Sequence, residues 1–281
     1  MIPKRILLIR PDRLGDLILS LPVAETLKMR FPDSTVAYLA SAGPSRIAPL
    51  APYVDEWLID GGNSEGLRGL KSSIQNGHFE YAIELRPSLK TAVAAFLSGV
   101  PQRIGTARRG YSLLYNRRVN VQRKGSGRHQ TDLELEMLTP MGIETSGLAP
   151  NLIITATALH KGGSLVGANR KRYIVMHPGS GGSAPNWPSD YYRELARLLA
   201  EMSGRDIVIT GNNDRVGHFD ERCLDLNGKT DLEGLAGVVA GSDLFISGST
   251  GPLHLADALG VRCISFFVNH NVIGPERWGP R

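Results

Sequence analysis

Cysteine is scarce in this chain, with two residues, Cys223 and Cys263, among 281. They stand in separate apolar, strand-like stretches without CxxC spacing, which argues against a disulfide framework or a thiolate metal site and for buried thiols. The seven histidines show no HExxH or similar ligand spacing, and there is no D-x-D pair, so no metal site is expected. Long apolar runs are missing as well. Residues 6–9 and 263–268 are strand-sized and far below a membrane span. Arg10, Asp12 and Arg13 interrupt the first run before it could act as a signal-peptide core, so a cytoplasmic location is expected. Aromatic residues make up only 6% of the chain and offer no base-stacking stripe, which argues against nucleic-acid binding.

Acidic residues are missing from one long segment. Between positions 103 and 128 the chain carries Arg103, Arg108, Arg109, Arg117, Arg118, Arg123, Lys124 and Arg128, and no Asp or Glu. The net charge of +5 lies wholly in the first half: residues 1–155 hold 19 Lys+Arg against 14 Asp+Glu, and residues 156–281 hold 13 of each. Such a run is either a solvated loop or a site for a polyanion, meaning phosphates, nucleic acid or an anionic membrane surface.

The 42% hydrophobic content fits a globular protein, and its pattern alternates between strand and helix. Strands are expected at 5–10, 35–39, 56–59, 81–85, 102–105 and 118–121, with helices at 17–30, 89–97 and 131–141 and Gly142 ending the last. After a polar stretch at 156–172, read as a linker, a second series begins. Strands are expected at 173–177, 206–210, 244–246 and 262–268, and helices at 189–202, with Ser189 as cap, 231–240 and 252–259. Two β-α series predict an α/β protein of two Rossmann-like parallel-sheet domains, 1–155 and 173–281. In such sheets ligands bind beyond the carboxyl ends of the strands, and the cleft between two such domains is the expected site.

Three strand-to-helix turns have unusual composition. In RPDRLGD (10–16), Asp16 either caps the following helix or faces the site as a general base. HPGSGGS (177–183) has three glycines in four residues, Gly179, Gly181 and Gly182, which let backbone approach a ligand and offer N–H donors to a diphosphate. SGSTGPLHLA (247–256) places Ser249 or Thr250 as a helix cap, Gly251 and Pro252 in the first turn and His254 one turn in. A helix start of this kind is an anion site.

The segments RILLIRPDRLGDLILSLPVAETLKMRFPDS, HPGSGGSAPNWPSDYYRELARLL, LNGKTDLEGLAGVVAGSDLFISGSTGPLHLADALG and PERWGP resemble, in order, the lipopolysaccharide heptosyltransferases of glycosyltransferase family 9. The resemblance implies a GT-B fold and inverting transfer of heptose from an ADP-heptose donor to the lipopolysaccharide inner core, without a cofactor. It implies that Asp16 is the general base. It places the donor against Gly179, Ser180 and Gly181, against Lys229 and Thr230, and against Ser249, Thr250, Gly251 and His254. The phosphorylated, lipid-linked acceptor is expected at Arg13, Arg117 and Arg118, with peripheral contact to the inner membrane. Two positions depart from the pattern: Pro185 and Asn186 stand where a lysine often precedes the Trp-Pro pair, and Ser249 stands where aspartate is common. The alternatives are a nucleotide-sugar epimerase of the same architecture, which needs no acceptor, and a non-catalytic sugar-nucleotide-binding protein.

Overall fold

A strand covered on both faces has no polar side to alternate, and Ile6, Leu7, Leu8 and Ile9 are all buried. In the computed structural model they belong to β1 (Arg5–Ile9) of a six-stranded parallel sheet. The structure describes all residues except 1, 62–65, 124, 183, 213–216, 218 and 271–272. It divides into two compact units, Met1–Pro150 and Asn151–Arg281.

The first unit adds β2 (Thr35–Ser41), β3 (Glu56–Asp60), β4 (Tyr81–Glu84), β5 (Gln102–Thr106) and β6 (Arg117–Val119), in the order β3-β2-β1-β4-β5-β6. Its helices are α1 (Leu14–Arg30), α2 (Gly66–Asn76), α3 (Leu89–Leu97) and α4 (Gln130–Leu135). The strand order reverses between β1 and β4, so the chain leaves those two neighbours in opposite directions and opens a crevice at their carboxyl ends. The helix expected at 131–141 is split. Pro140 cannot donate to the carbonyl four residues back, and α4 gives way to a 3-10 segment, Glu136–Met141, closed by Gly142 at φ 71°.

The second unit holds β7 (Tyr173–His177), β8 (Asp206–Ile209), β9 (Leu224–Asp225), β10 (Leu244–Gly248) and β11 (Cys263–Phe266), in the order β11-β10-β7-β8-β9. Its switch point lies between β7 and β10. Its helices are α5 (Ala156–Val166), α6 (Ser189–Met202), α7 (Leu232–Ala240), α8 (Gly251–Ala258) and α9 (Pro275–Trp278). Among the described residues, no helix is long and apolar enough to cross a membrane.

Three local expectations change. The stretch read as a linker is helix for its first eleven residues: α5 is capped by Thr155, whose hydroxyl accepts from Ala158 N at 3.1 Å. Gly162 in this stretch is a point of helix contact. A Cβ on Gly162 would collide with the backbone of Gly237 on α7, and one on Gly237 would collide with the Ala158 carbonyl. Lys161 fastens the same pair of helices through Asp231 (2.5 Å) and Glu233 (3.3 Å). Second, α6 is capped at Pro188, and Ser189 is its first helical residue. Third, α1 starts at Leu14 with Arg13 at the cap, so Asp16 lies inside the first turn and is not the N-cap.

The α5–α7 contact predicts opposite results at neighbouring glycines. Gly237→Ala should lower the unfolding free energy in urea by about 1–3 kcal/mol through overpacking. Gly163→Ala, whose Cβ would meet nothing, should be neutral or stabilising by roughly 0.5–1 kcal/mol. Equal effects at the two positions would contradict the backbone contact.

Candidate active site

The carboxyl edge of the first sheet is organised by Arg10, the residue after β1. Its side chain is 3% exposed, and its guanidinium donates to Asp16 Oδ1 (2.7 Å), Glu134 Oε1 (3.0 Å) and the Leu85 carbonyl (3.0 Å). Asp12 lies 3.8 Å away and pairs with Arg86 at 3.0 Å. Arg123 joins Glu134 (3.1 Å) and Leu85 O (2.8 Å), and Gln130 also donates to Glu134. Three guanidinium groups therefore meet three carboxylates, which is how so much charge survives burial. Burial disfavours ionised Arg10, but Glu134, then Asp16 and Asp12, outweigh it and raise its pKa.

Asp16 is a partly exposed carboxylate of this network. Its side chain is 22% accessible, and only Oδ1 is engaged by Arg10 among the described residues. Burial pushes its pKa above the ordinary aspartate value, and Arg10 opposes the shift. A fixed carboxylate with one free oxygen and a raised pKa, at the carboxyl end of β1, has the properties of a general base.

The neighbouring strand ends in Glu84, which the sequence reading did not select. It is 2% exposed and accepts from Ser88 N (2.9 Å), Thr91 Oγ1 and the Tyr115 hydroxyl. Burial raises its pKa to about 7 against those hydrogen bonds. Glu84 thereby closes the start of α3, where Ser88 makes no side-chain cap, and ties the β4–α3 loop to the chain beyond β5. Tyr115 reaches it by lying across Gly105, where any Cβ would meet the ring.

Part of the basic segment is engaged by the protein itself. Arg103 donates to Leu114 O (2.8 Å) and Val100 O (2.5 Å), and Arg128 pairs with Glu136. Arg117, expected to bind the acceptor, donates to Gln102 Oε1 (2.7 Å) and Pro140 O (2.6 Å) and thus bolts β6 to its surroundings. Arg118 is exposed and donates to Tyr115 O at 3.3 Å. Arg13 and Arg109 are exposed, as is Arg108, which donates to Asn120 Oδ1 at 2.6 Å. Lys124 lies outside the described residues.

In the second unit the expected donor residues gather on one edge. Strand registers pair Phe266 with Gly248, Ser247 with His177 and Ile209 with Asp225, and His177 Nδ1 lies 3.0 Å from Thr210 Oγ1. The loops holding Gly179, Ser180 and Gly181, then Lys229 and Thr230, then Ser249, Thr250 and Gly251, all leave this carboxyl edge. Gly181 and Gly182 adopt φ 54° and 73°, and Ser180 Oγ donates to Ala184 O (2.8 Å) to close the turn. Thr250 is the N-cap of α8, but its hydroxyl makes no capping bond. His254 is buried on α8, 6.4 Å from the Trp278 ring centroid. Lys229 is exposed, its ammonium 2.7 Å from Asp225 O. Burial lowers the pKa of His177 to about 4, so it is neutral near pH 7. Thr210 ends an expected strand and Trp278 lies in the PERWGP segment of the resemblance, but neither was selected as a site residue. Among the described residues, no group of three or more His, Cys, Asp or Glu is placed to hold a metal ion.

Glu84 yields a pH prediction. Its folded pKa of about 7 exceeds its unfolded value, so the folded state binds the extra proton between those limits. Its contribution to stability is fully present below about pH 4.5 and is lost as pH rises through 7, a change of at most roughly 3 kcal/mol. Glu84→Gln should flatten the stability profile across that window in urea unfolding at a series of pH values. An unchanged profile would show that Glu84 does not titrate there.

This geometry has known counterparts. Residues 67–281 match the model of glycosyltransferase family 9 (heptosyltransferase). A protein of Haemophilus influenzae, provisionally named a glycosyltransferase, is 27% identical over 99% of this chain and 86% of its own length. Lipopolysaccharide heptosyltransferase 2 of Salmonella typhimurium is 27% identical over 91% of this chain and 80% of its own. The solved structure of Escherichia coli ADP-heptose lipopolysaccharide heptosyltransferase II superposes with a TM-score of 0.83 at 22% identity, over 98% of this chain and 87% of that one. Its likeness supports the GT-B fold, with two parallel-sheet α/β domains. The chain belongs to glycosyltransferase family 9, the heptosyltransferases, and is a glycosyltransferase.

Proposed function

We propose that this enzyme transfers a heptosyl group from ADP-heptose to a hydroxyl of the lipopolysaccharide inner core, with inversion at the anomeric carbon. The observation that carries this reading is Asp16, clamped through Oδ1 by buried Arg10 with Oδ2 unengaged among the described residues. Asp16 takes the proton of the acceptor hydroxyl as that oxygen bonds to the anomeric carbon. The bond from that carbon to the diphosphate breaks, and ADP leaves with the electron pair. Burial and its salt bridge hold the carboxylate in position before substrate arrives.

The departing diphosphate gains negative charge, and the second unit supplies fixed dipoles for it. These are the backbone amides at 179–182 and the start of α8 with the Thr250 hydroxyl. Lys229 adds a full charge on the same edge. Arg205, a second source of charge for this role, precedes β8 at the opposite edge and pairs with Asp243 at 2.7 Å. Arg215 lies outside the described residues. On the first unit, exposed Arg13, Arg108, Arg109 and Arg118 suit the phosphates and carboxylates of a lipid-linked acceptor, whereas Arg117 supports the sheet.

Asp16→Asn should lower turnover by about 10²-fold or more with ADP affinity nearly unchanged. The acid limb of the wild-type kcat/KM profile should lie above the ordinary aspartate range, because the base must be ionised and burial raises its pKa. Near-normal turnover in the variant would remove Asp16 from the chemistry. Titration with ADP, UDP and GDP, with product masses, tests the donor, and a product formed without acceptor would reveal an epimerase.

The positions without the usual lysine give a second test. If Lys229 stands in for that charge, Lys229→Ala should cost about tenfold or more in kcat, and Asn186→Lys should restore part of the loss. Unchanged turnover in Lys229→Ala would place the compensating charge elsewhere.

A further inference from the structure

A carboxylate inside a protein needs donors for both oxygens, and Glu134 has them on one. It is fully buried on α4, where the cap His129 and the residues Gln130 and Thr131 are buried too. Its Oε1 accepts from Arg10 Nη1 (3.0 Å), from Arg123 Nη1 (3.1 Å) and from Gln130 Nε2. Its Oε2 is buried without a hydrogen-bond partner among the described residues. The Leu85 carbonyl gathers the same two arginines, accepting from Arg10 Nη1 at 3.0 Å and from Arg123 Nη2 at 2.8 Å. Two like-charged guanidinium groups therefore share both acceptors, and their repulsion needs an anion at the shared point.

Arg10 Nη2 is left for Asp16, at 2.7 Å. Asp16 and Glu134 thus stand on either side of one guanidinium, each bonded to a different terminal nitrogen. Around Asp16 lie Arg10 and Asp12 from its own turn, exposed Arg13 at the cap of α1, and Glu134 from α4. Arg86 backs Asp12, Arg123 backs Glu134, and Tyr38 of β2 is within electrostatic reach of Arg10. Of the three carboxylates Glu134 alone is closed to solvent, so its charge is screened least. Burial is the largest cause of Asp16's raised pKa; Arg10 opposes it, and Asp12 and Glu134 add to it.

We infer that Glu134 is a positioning residue of the transfer site, holding Arg10 and Arg123 at shared acceptors so that Asp16 receives a hydrogen bond from Arg10 but only part of its charge. The inference rests on the reading of Asp16 as the base and adds what sets its strength. An Arg10 that served Asp16 alone would hold the carboxylate in place but weaken it as a base. Glu134 draws on the same guanidinium, and Arg123 in turn offsets part of Glu134. Neutralising Glu134 should therefore leave Asp16 more strongly paired, and removing Arg123 should leave it less so.

The test is the acid limb of the kcat/KM profile, whose midpoint follows ionisation of the base in the free enzyme. Glu134→Gln leaves the cluster with one positive charge in excess and should move the limb down by about one pH unit. Arg123→Gln leaves one negative charge in excess and should move it up by about as much. The double variant, neutral again, should return the limb close to its wild-type position. A residue that only holds α4 would lower turnover in these variants without moving the limb. Coincident profiles overturn the inference, as do shifts of the same sign in the two single variants. Should circular dichroism show Glu134→Gln unfolded, Arg123→Gln decides, because Arg123 is partly exposed and its removal leaves Glu134 paired with Arg10. Asp16→Asn in the same assay separates the two readings. Loss of turnover there with an unmoved limb in the other variants removes only the role of Glu134, whereas near-normal turnover removes the base and this inference with it.

Discussion

The carboxyl edge of the first unit's sheet depends on one buried guanidinium. Arg10 bonds at once to α1 through Asp16, to α4 through Glu134 and to the chain after β4 through Leu85 O. Those elements are far apart in sequence, and no apolar contact could fix their mutual orientation with comparable angular precision. The network is balanced, with Arg86 and Arg123 offsetting two of the three carboxylates. Removing Arg10 would leave Glu134 buried with less compensation, a loss of the kind that costs about 3–5 kcal/mol. The same bond sets Asp16's chemistry, since it holds the carboxylate in place while opposing the rise in pKa that burial causes.

Most of the fold was legible because parallel strands buried on both faces leave unbroken apolar runs between polar turns. The runs at 5–10, 35–39 and 173–177 correspond to β1, β2 and β7 within a residue or two. What misled was composition read without partners. The residues 156–172 looked like a linker because they are polar and weakly patterned, yet they open with a helix whose Gly162 is glycine because another helix's backbone occupies the Cβ position. The short strand β9 carries too few residues for any periodic signal.

The candidate site was legible where its residues are neighbours in sequence and hidden where folding assembles them. Asp16, Gly181 and Thr250 stand in turns whose own letters announce them. Glu84 does not: it is one acid at the end of an ordinary strand, and its role comes from Tyr115 and Thr91, brought to it by folding. The arginine-rich segment shows the same limit. Sequence gives the sign of its charge, but whether a guanidinium faces solvent or a carbonyl depends on which backbone oxygens lie in reach. Arg103 and Arg117 spend their donors on Val100, Leu114 and Pro140 oxygens, while Arg109 stays exposed.

The two units handle negative charge by different physical means, and the difference suits what each is proposed to bind. The edge assigned to the base must keep one carboxylate ionised, so it uses full charges in balanced pairs, each compensated before substrate arrives. The edge assigned to the donor meets charge that grows during reaction. There, backbone amides and a helix start serve better than a row of lysines: fixed dipoles do not reorganise as charge develops and do not repel one another in the empty site. His177, kept neutral near pH 7 by burial, adds no permanent cation to that edge. Lys229, exposed and 2.7 Å from the Asp225 carbonyl, then completes the set as a full charge placed at the margin.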